Sequence, residues 1–522
     1  MKAVCFIAFA AAALAQSPQA IRKAIDRALP PIQRSAATFV EKRACFSCHH
    51  NGLALMVFSE AKQRGVPIDE SVFAAVQKKT VASGGSYDDV VQARNVSDPT
   101  PNDSLLLMVS SGPGQEVRAR RLASWQRADG HWITSDFRPP HSSSEFTATA
   151  TAVQALRGAF GSHPAIAKAI RWLRETRPAS TEDASYRLLG LVWGQADSAD
   201  ILAARKDLLG LQRPDGGWAQ LPGYVSDAYS TGEAVFALHR SGAASAKGVR
   251  FLLSDQKPDG TWHVRTRMIS PAEVSPPYFE TGFPYKKDQF ISYAGSCWAV
   301  MALLTADLRP EPPMAISTPQ SDGDNGVPAL PLFTQLTIAA SFYNNSAEVA
   351  RLLDAGASAN PPAGTREHNT PLRYASMSGD LASVKLLLDH GANPNAGSPL
   401  SEAVTFGHPD VAAALIAAGA DIDGVESTGI NLLHWATITN RPALIPVLAK
   451  AGVPLNDVDE NGFTALMYAA TIDFGDTKTL EALLAAGADA TIKDMENRTP
   501  QQQARRLGHK QLAAALAKKP AR

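Results

Sequence analysis

Two cysteines and a histidine near the start of the chain have types and a spacing that could do chemistry. Cys45 and Cys48 are separated by two residues, and His49 follows directly, which makes the pattern Cys-x-x-Cys-His. This is the attachment motif of c-type haem, because two such thiols can add to the two vinyl groups of one porphyrin while the adjoining imidazole reaches the iron. The sequence therefore predicts covalent haem c, with Cys45, Cys48 and His49 as cofactor-binding residues and His49 as the iron ligand.

Other kinds of site use the same residue types. A disulfide or thiol-redox pair of Cys45 and Cys48 is one alternative, although no thioredoxin-like βαβ pattern surrounds it. A zinc site is another, but it needs a fourth ligand beyond the two thiols and one of His49 or His50, and the chain has no second cysteine pair. An inert cysteine pair is the third.

The ligand on the opposite face of the iron stays open. His50 is adjacent to His49 and cannot easily reach that face. Four further side chains are candidates: Met56, Met108, His131 and His141. The methionines are more typical of a packed core and the histidines of surface loops, so none of the four is selected.

The first fifteen residues have the features of an export signal. Lys2 precedes an apolar run from Ala3 to Leu14, and Ala13-Leu14-Ala15 has the small-x-small form of a signal-peptidase site. The run is too short to cross a bilayer, and no later segment reaches about 18 uninterrupted apolar residues. We therefore expect residues 1–15 to be a signal peptide, and an exported, periplasmic or secreted bacterial protein; a buried N-terminal helix is the alternative.

The composition narrows the class of protein. A chain of 522 residues predicts about two to four folded domains. Hydrophobic residues make up 45% and charged residues 19%, so a core is available and disorder throughout is excluded. Lys and Arg number 50, as do Asp and Glu, and this balance disfavours nucleic acid as a partner. Four cysteines are too few for a disulfide-stapled scaffold.

A repeat occupies the first half of the chain. The pattern Gln-x-x-Asp-Gly-x-Trp occurs at 126–132, 212–218 and 256–262, so the tryptophans are 86 and 44 residues apart. This indicates a unit of about 43 residues with one degenerate copy, around Trp172, that has lost its Asp-Gly turn. In each unit we expect a helix to end near the Gln, the Trp to pack beneath the turn, and a nearly all-apolar inner helix to follow.

This array resembles the prenyltransferase and squalene-cyclase repeat superfamily over about residues 30–308. The resemblance implies an α/α toroid for residues 16–308, with the haem motif at 45–49 mounted in an inter-helix turn. Class II terpene cyclases of the superfamily use Asp-x-Asp-Asp-Thr, and the nearest match is Asp227 to Thr231, where Tyr229 and Ser230 replace the later acids. Neither is a strong proton donor, so a cyclase-like enzyme is a minor alternative and no catalytic residue is predicted.

Two further features belong to this region. An insert between Trp262 and Ser292 carries Arg265, Arg267 and an aromatic segment at 278–285. The insert is either a loop packed over the end of the domain or a cover for a macrocycle, whose propionates the two arginines would pair. Cys297 lies in an apolar helix and is predicted to be a buried thiol.

A second array follows a Pro-, Ser- and Gly-rich segment, predicted to be a linker at 309–331. Openings such as Asn-Thr-Pro-Leu-Arg-Tyr-Ala at 369–375 recur, with a Leu at 372, 400, 433 and 466, and most steps equal 33 residues. Gly-Ala recurs at the ends of units, as a left-handed helix end requires. The pattern resembles ankyrin repeats over 332–518, with six units, and the predicted fold class is all-α.

Together these features predict an exported haem c electron-transfer or redox-sensing protein whose ankyrin repeats bind a protein partner, with a redox partner in addition. Two alternatives stay open. One is an interaction scaffold without haem, and the other is a toroid that encloses a hydrophobic ligand or acts as a terpenoid cyclase-like enzyme.

Overall fold

The structure, a computed structural model, describes residues 17–42, 50–83, 99–109, 114–134, 138–140, 143–268, 280–306, 330–362, 369–423 and 428–517. These residues are almost entirely helical, and the two strands that they form are two residues long each. The predicted all-α class is confirmed. Among these residues, no helix combines the length and the apolar character that crossing a bilayer requires.

Twelve helices form the N-terminal domain in the described ranges. In chain order they are α1 (Pro18–Lys42), α2 (His50–Gln63), α3 (Glu70–Ser83), α4 (Pro99–Val109), α5 (Gln115–Ser124), α6 (Glu145–Phe160), α7 (Pro164–Glu175), α8 (Thr181–Trp193), α9 (Ser198–Gly210), α10 (Ala228–Arg240), α11 (Ala246–Asp255) and α12 (Gln289–Leu304). A hairpin of β1 (Trp218–Ala219) and β2 (Ser226–Asp227) precedes α10. Later members of the even-numbered set are buried on nearly every side, as predicted for inner helices.

The even-numbered helices form an inner ring. Helix α4 packs against α6, α6 against α8, α8 against α10, α10 against α12, and α12 packs against α2. Helices α2 and α4 meet where Gly52 faces Leu105. The odd-numbered helices lie outside this ring and bury one stripe each, for example Ile166, Ala169 and Leu173 on α7. The architecture is therefore a closed ring of helix pairs.

The three repeat turns share one hydrogen-bond pattern. The indole N–H of Trp132 donates to the carbonyl oxygen of Leu122 at 2.7 Å, and Trp218 and Trp262 make the equivalent bonds ten residues back at 2.9 and 2.8 Å. The Gln of each motif closes the turn: Gln212 Nε2, for example, donates to the carbonyl oxygen of Gly216 at 2.9 Å. All three tryptophans are fully buried. The structure therefore confirms that each Trp packs beneath its turn, as predicted.

The degenerate copy replaces the indole with a guanidinium. Leu173 on α7 corresponds to Leu122 on α5, and its carbonyl oxygen accepts from Nε of Arg187 on α8 at 2.7 Å. The same side chain also donates to the carbonyl oxygen of Arg174 at 2.9 Å. A long polar side chain from the inner helix thus satisfies the outer helix end that Trp satisfies elsewhere.

The first helix of the chain closes the ring. Gln256 Nε2, in the last repeat turn, donates to the carbonyl oxygen of Ala24 at 2.8 Å, and Arg27 Nη2 donates back to the carbonyl oxygen of Lys257 at 2.7 Å. In the same way Gln126 Nε2 bonds the carbonyl oxygen of Ala165 on α7. Each turn therefore packs on the next outer helix, and for the last turn that helix is α1.

The C-terminal domain consists of six helix pairs in the described ranges. Their helices are α13 (Leu332–Ala340), α14 (Ser346–Asp354), α15 (Pro371–Ser378), α16 (Leu381–Asp389), α17 (Pro399–Thr405), α18 (Pro409–Ala417), α19 (Leu432–Ile438), α20 (Ile445–Ala451), α21 (Ala465–Thr471), α22 (Lys478–Ala486), α23 (Pro500–Leu507) and α24 (Lys510–Ala517). Four of these first helices, α15, α19, α21 and α23, open on Thr or Asn caps, such as Thr370, whose Oγ1 accepts from the amide of Arg373. Most of the predicted linker, residues 309–329, lies outside the described residues.

Candidate functional site

The Cys-x-x-Cys-His motif lies outside the described residues. Residues 43–49, which include Cys45, Cys48 and His49, connect α1, which ends at Lys42, to α2, which begins at His50. Helices α1 and α2 pack against each other. The sequence predicted that the motif lies in a turn between two helices, and a helix is present on each side of it in the chain.

An aromatic stack borders the end of the motif. The imidazole of His50 lies between two parallel rings, 3.7 Å from the ring of Tyr293 and 4.7 Å from that of Phe39, measured between centroids. Phe283 meets the edge of Tyr293 at 5.4 Å. Nε2 of His50 is 3.1 Å from Oγ of Ser35, so the ring is held by a hydrogen bond as well as by stacking. His50 is therefore a core residue that anchors the start of α2.

A cavity of about 90 Å³ begins one turn further along α2. Its walls come from four inner helices and one loop, and most lining groups are apolar. The lining residues are Gly52, Leu53, Met56, Thr100, Pro101, Ser104, Leu105, Met108, Thr134, Thr147, Ala148, Thr151 and Tyr186. The cavity thus sits between α2 and α4.

The structure separates the candidates for a distal iron ligand. Met56 and Met108 lie on facing helices and both line the cavity. His131 lies elsewhere: its Nδ1 is 2.6 Å from a carboxylate oxygen of Asp129, and its ring stacks on Trp172 at 5.1 Å. His141 lies outside the described residues. Of the histidines and methionines considered from the sequence, the two methionines are those on the cavity.

Two buried carboxylates lie behind this cavity, and sequence reasoning missed them. Glu233 on α10 is fully buried, and neither of its carboxylate oxygens has a hydrogen-bond partner among the described residues. Glu182 on α8 is 4% exposed and accepts a hydrogen bond from Oγ1 of Thr147 at 2.7 Å. Thr147 itself lines the cavity. For Glu233 the sequence carried a signal, because an acidic residue in the middle of a largely apolar helix is rarely fully buried without a partner.

Burial determines the ionisation of this group. It raises the pKa of Glu233 well above the ordinary 4.5, and the negative charges of Glu182, Asp183 and Asp227 raise it further. The phenol of Tyr186, on the cavity wall, also has a raised pKa, through burial and then through the charges of Glu233 and Glu182. A carboxyl group whose pKa is raised in this way keeps its proton to a higher pH than an exposed one.

Asp227, the residue that matched the cyclase pattern, caps α10. Its Oδ1 accepts from the amide of Ser230 at 2.9 Å, and its Oδ2 accepts from Nε2 of Gln220 at 2.9 Å. Burial raises the pKa of Asp227 to about 6, against the hydrogen bonds from Ser230 and Gln220 and the charge of Arg267. Its position is that of a helix N-cap, which accounts for an Asp here without any catalytic role.

The insert after Trp262 packs against the domain's own core. Phe283 is buried against Tyr293, and Tyr285 stacks on His263 at 4.6 Å. Arg267 is 4% exposed and its carbonyl oxygen accepts from the C-terminal domain, at the amide of Asp473. Residues 269–279 lie outside the described ranges. The described part of the insert fits the loop alternative, because its aromatic rings pack on the domain's own core and the backbone of Arg267 bonds the C-terminal domain.

Cys297 is a free thiol with no exposed surface, as predicted. Burial raises the pKa of its thiol, and a hydrogen bond with Tyr293 opposes that shift. In the ranges that the structure describes, no group of three or more His, Cys, Asp and Glu side chains is arranged to hold a metal ion. The motif cysteines and His49 lie outside those ranges.

Comparisons with known proteins concern the C-terminal domain. A family model described as "Ankyrin repeats (3 copies)" matches residues 331–398 and 400–494. The chain is 33% identical over 148 residues to the ankyrin repeat and KH domain-containing protein mask-1 of Caenorhabditis elegans, which covers 27% of this chain and 6% of that protein. It is 33% identical over 113 residues to the transient receptor potential cation channel subfamily A member 1 homolog of the same organism. That match covers 21% of this chain and 9% of the relative. The chain spans less than a tenth of these relatives.

Solved structures match a similar share of the chain. One chain in the structure of the Bd0816 predatory endopeptidase from Bdellovibrio bacteriovorus in complex with immunity protein Bd3460 matches at 30% identity and a TM-score of 0.31; the match covers 35% of this chain and 97% of that one. The human ASB11 ankyrin repeat domain matches at 25% identity and a TM-score of 0.31. That match covers 36% of this chain and 84% of the ASB11 chain. The resemblance of residues 30–308 to the squalene-cyclase superfamily stays a prediction. The C-terminal region, residues 331–494, consists of ankyrin repeats.

Proposed function

We propose that this chain is an exported haem c protein in which a squalene-cyclase-like ring of helices carries the haem and the ankyrin repeats bind a protein partner. The observation that carries the proposal is the Cys-x-x-Cys-His motif itself, at 45–49. Two further features support it: the export signal predicted at 1–15, and the aromatic rings and apolar cavity next to the start of α2, the helix that follows the motif in the chain.

The residues around the start of α2 are apolar. Phe39, Tyr293 and Phe283 form a buried aromatic group with His50, and Leu53 and Leu105 line the cavity. At about 90 Å³ the cavity is smaller than a porphyrin, so the macrocycle would lie outside it. Cys45 and Cys48 would hold the group, since each S–H adds across one vinyl C=C to form a thioether and nothing leaves. His49 would be the proximal ligand. When bound, the haem supplies a one-electron couple whose potential depends on its ligands and burial.

The protein's own contribution would be to fix His50, the residue that follows the motif. His50 is fixed by stacking between Phe39 and Tyr293 and by its hydrogen bond to Ser35. The hydroxyl of Tyr293 donates to the carbonyl oxygen of His50 at 3.3 Å, which fixes the backbone next to His49. A ligand whose neighbour is immobilised in this way keeps its orientation on the iron, as outer-shell contacts do at other metal sites.

The test is expression of the full chain in a bacterium that matures c-type cytochromes. We expect a red protein in the exported fraction, a haem-staining band after denaturing electrophoresis, and a mass that exceeds the processed polypeptide by one haem. The variants C45A and C48A should lose the covalent haem, and C297A, at a buried thiol outside the motif, should keep it. A colourless wild-type protein from the same host contradicts the proposal.

Thiol counting separates the alternatives. The processed chain would contain Cys45, Cys48 and Cys297. With two thioethers, a thiol reagent in denaturant labels one residue, Cys297, whether or not a reductant is added. A disulfide between Cys45 and Cys48 gives one label without reductant and three with it, and an inert or zinc-binding pair gives three in both cases.

The cavity favours a second candidate function, the binding of a hydrophobic ligand by the ring. A volume of about 90 Å³ with mostly apolar walls is the kind of space that small apolar molecules enter. Organic extraction of the purified protein followed by mass spectrometry tests this. A stoichiometric apolar compound that is lost in L105W supports the candidate, and an empty extract contradicts it.

A further inference from the structure

The ankyrin array makes an extensive contact with the ring of its own chain. On the array, the contact follows the C-terminal ends of the first helices α13, α15, α17, α19 and α21. We call this surface the docking face; it comprises Ser341, Met377, Phe406, Ile438 and Ile472. On the ring, it covers the first repeat turn and the loops that follow the second and third.

The first repeat turn docks between three ankyrin units. The indole N–H of Trp125 donates to the carbonyl oxygen of Ser341 at 3.0 Å, in a buried position, and the same indole meets the edge of Phe406 at 5.6 Å. Arg127 extends alongside: Nη2 lies 3.3 Å from Nε2 of His408, and its guanidinium carbon lies 5.9 Å from the centre of the Tyr343 ring.

Tyr374, Met377 and Phe406 of the array belong to the same buried apolar cluster as the ring's inner helices. The contact at the first turn is therefore continuous with the core of the N-terminal domain. Such a contact differs from a surface touch between two domains, which is usually polar and small.

A second contact lies at the other end of the docking face. Met268 and Ile472 pair as a β-bridge, and the amide of Asp473 donates to the carbonyl oxygen of Arg267 at 3.3 Å. The hydroxyl of Tyr224 donates to a carboxylate oxygen of Asp473 at 2.7 Å. Met268 also completes a small apolar cluster whose other buried members all come from the array: Ile438, Tyr468 and Ile472.

One contact reaches the cavity. Nη2 of Arg441, just after α19, donates to the carbonyl oxygen of Thr134, and its Nε donates to the carbonyl oxygen of Thr405 at 3.2 Å. Thr134 lines the cavity between α2 and α4. An ankyrin side chain thus holds the backbone of one cavity wall.

We propose that the ankyrin array binds the helical ring of its own chain through the docking face, and that Arg441 thereby holds the cavity wall at Thr134. Buried hydrogen bonds and apolar side chains therefore occupy the C-terminal ends of these first helices in cis. A partner in trans would have to bind the array outside the docking face. This inference does not depend on haem.

The test uses the full chain with a protease site inserted within residues 309–329. After cleavage of the folded protein, we expect the two halves to elute as one complex at micromolar concentration. Separate elution of two folded halves overturns the proposal. The variant M268E places a charge in the apolar cluster and should weaken association of the cleaved halves at least about 100-fold. Unchanged association would show that the docking face does not hold them.

A second measurement addresses the cavity wall and does not require dissociation. Amide hydrogen exchange of the uncut protein should be faster at residues 128–134 in R441A than in the wild type. The matched control is R351A, whose guanidinium is 59% exposed on α14 and paired with Glu348, away from the docking face. Circular dichroism verifies that both variants are folded. Equal exchange in R441A and R351A overturns the role assigned to Arg441.

Discussion

Single polar side chains decide how the helices of the ring are joined. Where a repeat turn has Asp-Gly-x-Trp, the indole N–H satisfies the outer helix carbonyl, and where the motif is lost, Arg187 satisfies the carbonyl of Leu173. Buried helix ends without a partner are costly, so losing a Trp at one turn demands a substitute from elsewhere. Glu233 is the opposite case, because its buried oxygens have no such partner among the described residues.

This isolation predicts a pH-dependent stability. Because the pKa of Glu233 in the folded state is raised above 4.5, the folded state binds this proton more tightly than the unfolded chain. Its contribution to folding is therefore fully present below pH 4.5 and declines as the pH rises above that value. We expect E233Q to remove this decline and to be more stable than the wild type at pH 8, by about 1 kcal/mol or more.

Chemical denaturation at pH 4, 6 and 8 measures this effect. The control E175Q removes an exposed carboxylate on α7 and should follow the wild-type profile. A constant stability difference between E233Q and the wild type from pH 4 to pH 8 would contradict the prediction.

At the scale of helices, close approach depends on small residues. Gly232 on α10 faces the backbone of α12, and a Cβ there would lie 2.6 Å from the amide nitrogen of Ala299 and from the carbonyl carbon of Trp298. Neither atom can move without moving the helix. Helices α10 and α12 therefore approach this closely only because residue 232 has no side chain.

We expect G232A to destabilise the protein by about 1–3 kcal/mol, because α10 and α12 must separate. Its matched control is G158A on α6, where a Cβ would meet nothing within 4 Å. That variant should gain about 0.5–1 kcal/mol from the higher helix propensity of Ala. Thermal denaturation compares the two, and a G232A protein as stable as G158A would show that the helices tolerate the extra methyl.

The whole molecule is organised by contacts between distant parts of the chain. The last repeat turn packs on α1, about 230 residues earlier, and the ankyrin array packs on the first turn and on the insert. Gly260 sits at the junction that closes the ring. Its φ is 89°, and a Cβ would lie 2.3 Å from the carbonyl oxygen of Arg27.

We expect G260A to open this junction. The left-handed backbone alone costs about 1–2 kcal/mol with Ala, and the collision with α1 adds to it. G242A has the same backbone cost, with φ 80° and nothing within 4 Å, and is the matched control. Denaturation should place G260A at least about 2 kcal/mol below G242A, and proteolysis should release α1 faster. Equal stability would mean that the ring does not depend on this contact.

The sequence by itself determined the all-α class, both repeat arrays and the burial of each motif Trp, because repeat periods and turn residues are local properties of the chain. It also contains the Cys-x-x-Cys-His motif, from which the attachment of haem c is predicted. Only the tertiary structure decided that α1 closes the ring, that Met56 and Met108 face one cavity, that Glu182 and Glu233 lie behind it, and that the array docks on its own chain. Those facts join residues far apart in sequence, and no local pattern encodes which distant surfaces meet.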